Sequence, residues 1–400
     1  MATTKLCLLM MVILTFTAVT AAPPCRLCYV VRPSNGPTTA FMFSKFTVEY
    51  YRQSLSNLDW IMVPITNGNA NPTSRDAVQA MVKNGDGCDA LLGPGSSSYS
   101  VALSSIANIP WVDFSSSSTE LSDKSAYPWF NRVIATDAQI AGGMADLILG
   151  MGWRSINLVA SNDAYGSSIA QQLTASFVPA GGAIAISQTI AASTTLLEAH
   201  TLLNLIEAGS RSRIIAFATA ANNPLFINFI NATVTRGLQR KYVFVFSESA
   251  CSGDTTWLAL QGALCVTFRV NSTLSSVVTA AYSQRNVTDD LTIIANYGRT
   301  AVVPPSLYYS MPTFNAFAHD ATRALMMSLN AAAASASWSN SSVANRRAAA
   351  LAAIRNVSFA GLSGPVSFNS KGDRNSAELL ILNVDSTGRT GYAVRLPPSR

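Results

Sequence analysis

Two short serine clusters, each directly after an apolar run, have residue types and spacing that could bind a small ligand. Residues 92–98 read "LGPGSSS" and residues 114–119 read "FSSSST". Serine hydroxyls donate hydrogen bonds without adding charge, and the start of a helix offers unpaired N–H groups to an anion. Both clusters are therefore predicted to contact one ligand. The alternative is that Ser96, Ser97 and Ser98 only cap the helix that follows them, as serine commonly does.

The rest of the chain alternates short apolar runs with longer amphipathic segments of helical spacing. The runs typical of buried strands lie at 88–93, 109–114, 155–161, 213–219 and 241–247. This alternation predicts an α/β fold of βαβ units and parallel sheets, whose ligands bind beyond the carboxyl ends of the strands. Both serine clusters lie at such ends, as do "SNDAYG" at 161–166 and "SESACSGD" at 247–254.

Size and charge exclude some classes of protein. The 400 residues are 49% hydrophobic and 12% charged, which is enough to build two globular lobes. The net charge of +6 is dispersed along the chain, so no nucleic-acid partner is predicted.

The longest apolar run predicts secretion. Residues 6–19 read "LCLLMMVILTFTAV", Lys5 precedes them and small residues follow. This pattern is typical of a signal peptide, assigned to residues 1–21, and the alternative is an uncleaved N-terminal anchor. No later apolar run has the length of a membrane span. We therefore expect a protein that is secreted or lies on the extracellular face of a membrane.

The cysteines and the Asn-X-Ser/Thr sequons fit this compartment. Six cysteines occur, one of them in the signal segment. A disulfide between Cys251 and Cys265 would close a local loop, and a second is predicted to join Cys88 to Cys25, with Cys28 as the open alternative. One cysteine then remains unpaired. The sequons predict N-glycosylation at Asn231, Asn271, Asn286, Asn340 and Asn356.

No residue pattern predicts catalysis, a metal site or a cofactor. The two histidines, His200 and His319, lie in helical segments, where a surface or packing role is expected. No nucleophile elbow, zinc-protease motif or phosphate loop occurs, and the "CRLC" spacing at 25–28 has no second half-site. The chain is thus predicted not to be an enzyme. A hydrolase that uses the serine-rich crevice stays as a third hypothesis.

Several motifs, in a fixed order, resemble a known family. The segments "LLGPGSSSYSVALSS", "FSSSSTELSDKSAYPWF" and "FAGLSGPVSFNSKGDR" are similar to the receptor family ligand-binding region, found in the ectodomains of metabotropic glutamate, GABA-B and natriuretic peptide receptors. The resemblance runs from about residue 61 to about residue 394. The first strand, around "CRLCYVVRPSNG", departs from the family pattern.

The resemblance implies a bilobed type I periplasmic-binding-protein fold, with two parallel-sheet lobes joined by a three-strand hinge. Neither lobe is then continuous in sequence, and the crossings are predicted near Asp137, Phe268 and Gly361. The predicted lobes are 22–136 with 268–360, and 137–267 with 361–400.

The resemblance also implies roles for the serine clusters. In family members that bind amino acids, the matching hydroxyls hold the α-carboxylate of the ligand. The matching positions are Ser98, Ser115 and Ser117, and their neighbours in the two clusters are Ser96, Ser97 and Ser116.

An amine on the ligand needs an acceptor, and the resemblance implies Asp137 and Tyr165 for this role. Glu248 follows a strand at a position where the family often has an acidic residue. Two alternatives stay open: Asp137 caps the helix that follows it, and Tyr165 packs in the hinge.

The leading hypothesis is an extracellular sensor domain that closes its lobes on a small amino-acid-like ligand. In the family such domains are joined to a membrane signalling module, which is expected outside this chain. The alternative from another class is a dimeric ectodomain with a ligand-free cleft that acts through protein or peptide contacts. A homodimer is compatible with both hypotheses.

Overall fold

The computed structural model describes residues 22–30, 38–65, 88–104, 107–191, 193–220, 223–251, 259–284, 313–335, 337–385 and 388–392. The predicted signal segment and the sequon at Asn286 lie outside these ranges.

Five parallel strands from the first third of the chain form one sheet. They are β1 (Pro24–Val30), β2 (Asp59–Ile65), β3 (Ala90–Leu92), β4 (Trp111–Asp113) and β5 (Phe130–Arg132). Their order is β2-β1-β3-β4-β5. The carboxyl ends of β3 and β4 therefore lie side by side, and both serine clusters follow these ends.

Seven strands form the second sheet, in the order β14-β13-β10-β9-β8-β6-β7. They are β6 (Ser155–Ser161), β7 (Ala183–Ile190), β8 (Ile214–Ala218), β9 (Val243–Phe246), β10 (Leu264–Phe268), β13 (Leu379–Asp385) and β14 (Gly388–Tyr392). β13 pairs antiparallel with β10 and β14 pairs antiparallel with β13, whereas the other pairs are parallel. A separate hairpin joins β11 (Ser358–Gly361) to β12 (Gly364–Ser367).

Helices lie between and over these strands. They are α1 (Thr38–Tyr51), α2 (Ser97–Ser104), α3 (Asp137–Gly150), α4 (Ala164–Phe177), α5 (Leu196–Gly209), α6 (Pro224–Thr235), α7 (Ser272–Ser283), α8 (Thr313–Ala333) and α9 (Val343–Ile354).

Several of these helices begin where the sequence supplies a capping side chain. Thr136 and Gln139 form a capping box at the start of α3, and Thr195 and Glu198 form another at the start of α5. Asp163 accepts a hydrogen bond from the backbone N–H of Gly166 and so starts α4. Each cap fixes the residue at which its helix begins after the preceding strand.

The chain returns to each sheet late in the sequence. α8, which is buried along most of its length, packs on α1, α9 and the strands β3 and β4 of the first sheet. β13 and β14 then complete the second sheet. The α/β class and the bilobed arrangement of parallel sheets are confirmed. The predicted residue bounds of the lobes stay a prediction.

Two buried guanidinium groups fix the segments that pass between the sheets. Arg132 at the end of β5 forms an ion pair with Asp373, with 2.7 Å between Nε and Oδ1. Arg374 donates to the carbonyl of Val133 and to the hydroxyl of Ser363, each at 2.8 Å. Burial of two such cations is tolerated because acceptors surround them.

The structure pairs the cysteines as Cys28–Cys88 and Cys251–Cys265. The second bridge agrees with the prediction, but the predicted partner Cys25 of Cys88 is wrong, because Cys25 is free and buried. Side chains alternate between the faces of a strand, and Cys25 and Cys28 are three residues apart in β1. Cys28 shares the apolar cluster of Cys88, whereas Cys25 lies in the cluster on the opposite face.

Peptide mapping under non-reducing conditions is expected to recover Cys28–Cys88 and Cys251–Cys265, with Cys25 alkylated only after denaturation. The sequence separation of 60 in the first bridge implies ~4 kcal/mol of stabilisation through the unfolded chain. Cys88→Ser should therefore lower the unfolding free energy by a similar amount. Cys25→Ala serves as the control and should leave both bridges in place. A recovered Cys25–Cys88 peptide would contradict this assignment.

Candidate functional site

Asp113, at the end of β4, organises both serine clusters. Its side chain is 0% exposed and accepts hydrogen bonds from four groups, three in the two clusters and one on the helix that follows the first. Oδ1 accepts from the backbone N–H groups of Ser115 and Ser116, each at 2.7 Å. Oδ2 accepts from the N–H of Gly95 and the hydroxyl of Ser100, each at 3.1 Å. One carboxylate therefore ties the loop after β3 to the loop after β4.

Gly95 is required in the first loop for two reasons. Its φ of +72° is left-handed, and a Cβ there would lie 2.8 Å from the ring of Phe114. The "GPG" turn therefore lets the serines that follow it start α2 directly beside the second cluster.

The structure gives the six predicted serines different surroundings. Ser97 accepts at Oγ from the N–H of Ser118, and the hydroxyls of Ser116 and Ser100 bond to each other at 2.7 Å. The hydroxyls of Ser97 and Ser116 are therefore already bonded to other groups of the protein. The remaining predicted serines are the partly buried Ser96 and Ser115, the exposed Ser98, and the buried Ser117, whose hydroxyl has no hydrogen-bond partner.

Asp137, Tyr165 and Glu248 come together where the second sheet faces the serine loops. The Tyr165 hydroxyl donates to Glu248 at 2.9 Å and lies 2.7 Å from the hydroxyl of Ser247. Asp137 and Glu248 are 0% and 1% exposed. Neither carboxylate oxygen of Asp137 makes a hydrogen bond of regular geometry. The cap of α3 is Thr136, so Asp137 does not serve as the helix cap.

The pKa values of these acids are raised by their surroundings. Burial raises the pKa of Asp137 to about 6, against the opposing influence of the hydroxyls of Ser168 and Ser117. Burial, and then the charge of Asp137, raises the pKa of Glu248 to about 7. Burial and the same two carboxylates hold the pKa of Tyr165 well above its ordinary value. The charge of Arg132 acts on Asp137, but Arg132 forms its ion pair with Asp373. A bound ammonium could compensate the acids directly.

Further unpartnered hydroxyls lie at the same edge of the second sheet. Ser161 ends β6, Thr219 follows β8, and the hydroxyl of each is buried without a hydrogen-bond partner. Sequence reasoning placed Ser161 in the strand-end segment at 161–166 but named neither hydroxyl as a site residue, although Thr219 also follows a buried apolar run.

Four hydrogen bonds join the serine loops to α4. The N–H of Ala164 donates to Oγ of Ser98 at 3.3 Å, and the N–H of Thr119 donates to Oγ of Ser168 at 3.1 Å. The hydroxyls of Thr119 and Ser168 lie 3.2 Å apart, and Nε2 of Gln172 donates to Oγ1 of Thr119 at 3.4 Å. The site is therefore bounded by protein on both sides.

Residues 45–387 match the model of a family described as the receptor family ligand binding region. This protein belongs to that family. The site described above lies inside the matched range, at the edges of the two sheets. The family is one of receptor ligand-binding regions and not of enzymes, which weighs against the serine hydrolase hypothesis.

Known proteins similar to this ligand-binding region include metabotropic glutamate receptors. Over 165 residues the chain is 30% identical to metabotropic glutamate receptor 6 of Rattus norvegicus, and this alignment covers 40% of the chain and 19% of the receptor. Over 138 residues it is 30% identical to metabotropic glutamate receptor 8 of Homo sapiens, and this alignment covers 33% of the chain and 15% of the receptor. The alignments thus span about a fifth of these relatives or less.

The other predicted residues lie away from the site. Asn231, Asn340 and Asn356 are exposed, and Asn271 accepts from the N–H of Leu274 as the cap of α7. Their glycosylation stays a prediction. His319 is buried against Tyr51 with Nδ1 3.1 Å from Asp320, so it packs as expected.

The described ranges contain neither a metal-binding group of side chains nor a candidate membrane-spanning helix. No three His, Cys, Asp or Glu side chains among them are grouped so as to hold a metal ion. Within the same ranges, no helix combines the length and apolar character of a membrane span.

Asp113→Asn is expected to loosen both serine loops at once. The amide keeps the shape of the side chain but replaces one acceptor oxygen with a donor that faces other donors. We expect the free energy of unfolding, measured by chemical denaturation, to fall by about 3 kcal/mol. Asp123→Asn is the control, since Asp123 is exposed and bonds locally to Ser125. Equal stability of the two variants would refute the central role of Asp113.

The acids at the site predict a pH dependence of stability. Because their folded-state pKa values are raised to about 6 and about 7, the folded state binds more protons than the unfolded chain between about pH 4 and these values. The stabilising contribution is therefore complete below about pH 4 and is lost as the pH rises through 6 and 7. We expect the thermal midpoint of the unliganded domain to be lower at pH 8 than at pH 5.

Asp137→Asn and Glu248→Gln should each flatten this pH dependence. Asp146→Asn, an exposed change on the same helix as Asp137, should leave it unchanged. Identical pH profiles for all three variants and the parent would show that the two buried acids are not the titrating groups.

Proposed function

We propose that this receptor-family region is an extracellular sensor domain that captures a small ligand with a protonated amine, an amino acid or a related metabolite, between its two lobes. The lobes close on the ligand, and closure signals to a membrane module. The similarity to metabotropic glutamate receptors supports a signalling role for the domain.

The observation that carries this proposal is the buried carboxylate of Asp137, which has no ion-pair partner among the described residues. An ionised carboxylate buried without a partner is costly, so it is retained where something else compensates the charge. The ammonium of an amino acid has three N–H donors and a positive charge. Glu248 and the hydroxyl of Tyr165, bonded to each other, offer further acceptors beside Asp137, whose charge acts on both.

The serine loops supply the opposite end of the site. Ser98 is exposed at the start of α2, and Ser115 is partly buried in the second loop. Together with the N–H groups at the start of that helix they can donate to a carboxylate. Asp113 fixes both loops, so the donors are held in place before a ligand arrives.

Exposed apolar side chains favour a second candidate function, a dimeric ectodomain that acts through protein contacts with a ligand-free cleft. Leu197 and Leu205, one helical stripe on α5, are 76% and 45% exposed. In this candidate the buried serines serve only the fold, as Ser97 and Ser116 already do.

A binding screen separates the two candidates. Isothermal titration of the secreted domain with the twenty amino acids and with simple amines should give heat with at least one α-amino acid. Asp137→Asn should weaken that binding by about 10- to 100-fold, through loss of a charge-assisted hydrogen bond. Affinity should also rise from pH 5 to pH 8, because an ionised carboxylate binds ammonium.

Asp146→Asn again provides the control and should bind as the parent does. Absence of heat with every compound at both pH values would reject the amino-acid sensor. In that case, a concentration-dependent dimer in sedimentation experiments would favour the second candidate.

A further inference from the structure

The contact between the serine loops and α4 follows a single stripe of that helix. Ala164, Ser168 and Gln172 are spaced by four residues, so they lie on one face of α4. All three bond to the loops of the first sheet, through Ser98 and Thr119. We name these five residues the interlobe strip.

The strip residues on α4 are held firmly against the second sheet. Gly166 lies so close to the end of β6 that a Cβ there would be 2.3 Å from Oγ of Ser161. α4 packs along β6 and on α3, and Asp163 fixes its first turn. The three strip residues on α4 therefore move with the second sheet, and their bonds to Ser98 and Thr119 depend on the distance between the two lobes.

Both partners in every bond of the strip belong to the protein. Ser168 is 7% exposed and Thr119 is partly buried, so water competes weakly for these bonds. Gln172, one helical turn beyond Ser168, is partly buried and adds a further bond to Thr119. Such contacts favour the closed arrangement whether or not a ligand is bound.

We propose that the interlobe strip is a latch that holds the lobes closed in a fraction of the unliganded molecules and thereby sets ligand affinity. The latch rests on the closing motion in the proposed function, but not on the identity of the ligand. A ligand that binds the closed state gains apparent affinity in proportion to the population that is already closed.

Gln172 offers the cleanest test, because Ser168 also favours the ionised form of Asp137. Spin labels at Ala352→Cys on α9 and Thr201→Cys on α5, both exposed, report the distance between the lobes by pulsed electron resonance. The unliganded parent should show a short-distance population. Gln172→Leu should lower the ratio of closed to open molecules by about two- to tenfold, as expected for one hydrogen bond. Thr119→Val, which removes both hydroxyl contacts of the strip, should lower it by at least as much.

The neighbouring residues Gln171 and Ser167 provide matched controls, since both are exposed on α4 and outside the strip. Gln171→Leu and Ser167→Ala should leave the distance distribution of the parent unchanged. A single open distribution in the parent would overturn the latch, and so would Gln172→Leu and Thr119→Val indistinguishable from the controls. Failure of every amino acid to bind would reject the proposed ligand but would leave this unliganded measurement intact.

Discussion

The carboxylate of Asp113 is the constraint on which the geometry of the site depends. Two loops that follow adjacent strands both carry backbone and hydroxyl donors that need acceptors, and one buried side chain serves four of them. Arg132 holds the second loop from the other side, since its guanidinium donates to the carbonyls of Ser116 and Ser118. An anion and a cation, each fully buried, thus fix the serine loop between them. This arrangement leaves the loop few alternative conformations.

The acids on the other side of the site are in the opposite situation. There the acids Asp137 and Glu248 are buried without a guanidinium bonded to them. Because burial disfavours the charged form, the pKa values of both acids are raised. The buried anion Asp113 finds its hydrogen-bond partners within the protein, whereas Asp137 and Glu248 have no ion-pair partner among the described residues. Under the proposed function, a bound cation would act on these acids and not on the residues that fix the serine loop.

Much of this arrangement could be predicted from the sequence, because periodicity and strand-end position determine it. The parallel sheets, the serine loops, the helix starts and the grouping of Asp137, Tyr165 and Glu248 follow from local pattern and from the family resemblance. The choice between Cys25 and Cys28 does not, because it depends on which face of β1 each residue takes. Local pattern also cannot reveal Asp113, since its four partners converge only after the loops fold.

The final strands of the second sheet have a consequence for synthesis. β10 leaves its edge exposed until β13 pairs with it along Leu264–Phe268, and more than a hundred residues separate the two in sequence. During synthesis, the backbone N–H and C=O groups at this edge of β10 therefore stay unpaired, and such an edge can pair with other chains. A premature stop before residue 379 would make that exposure permanent. Completion of this sheet therefore depends on residues 379–385, whereas the residues of the site lie much earlier in the chain, between 95 and 248.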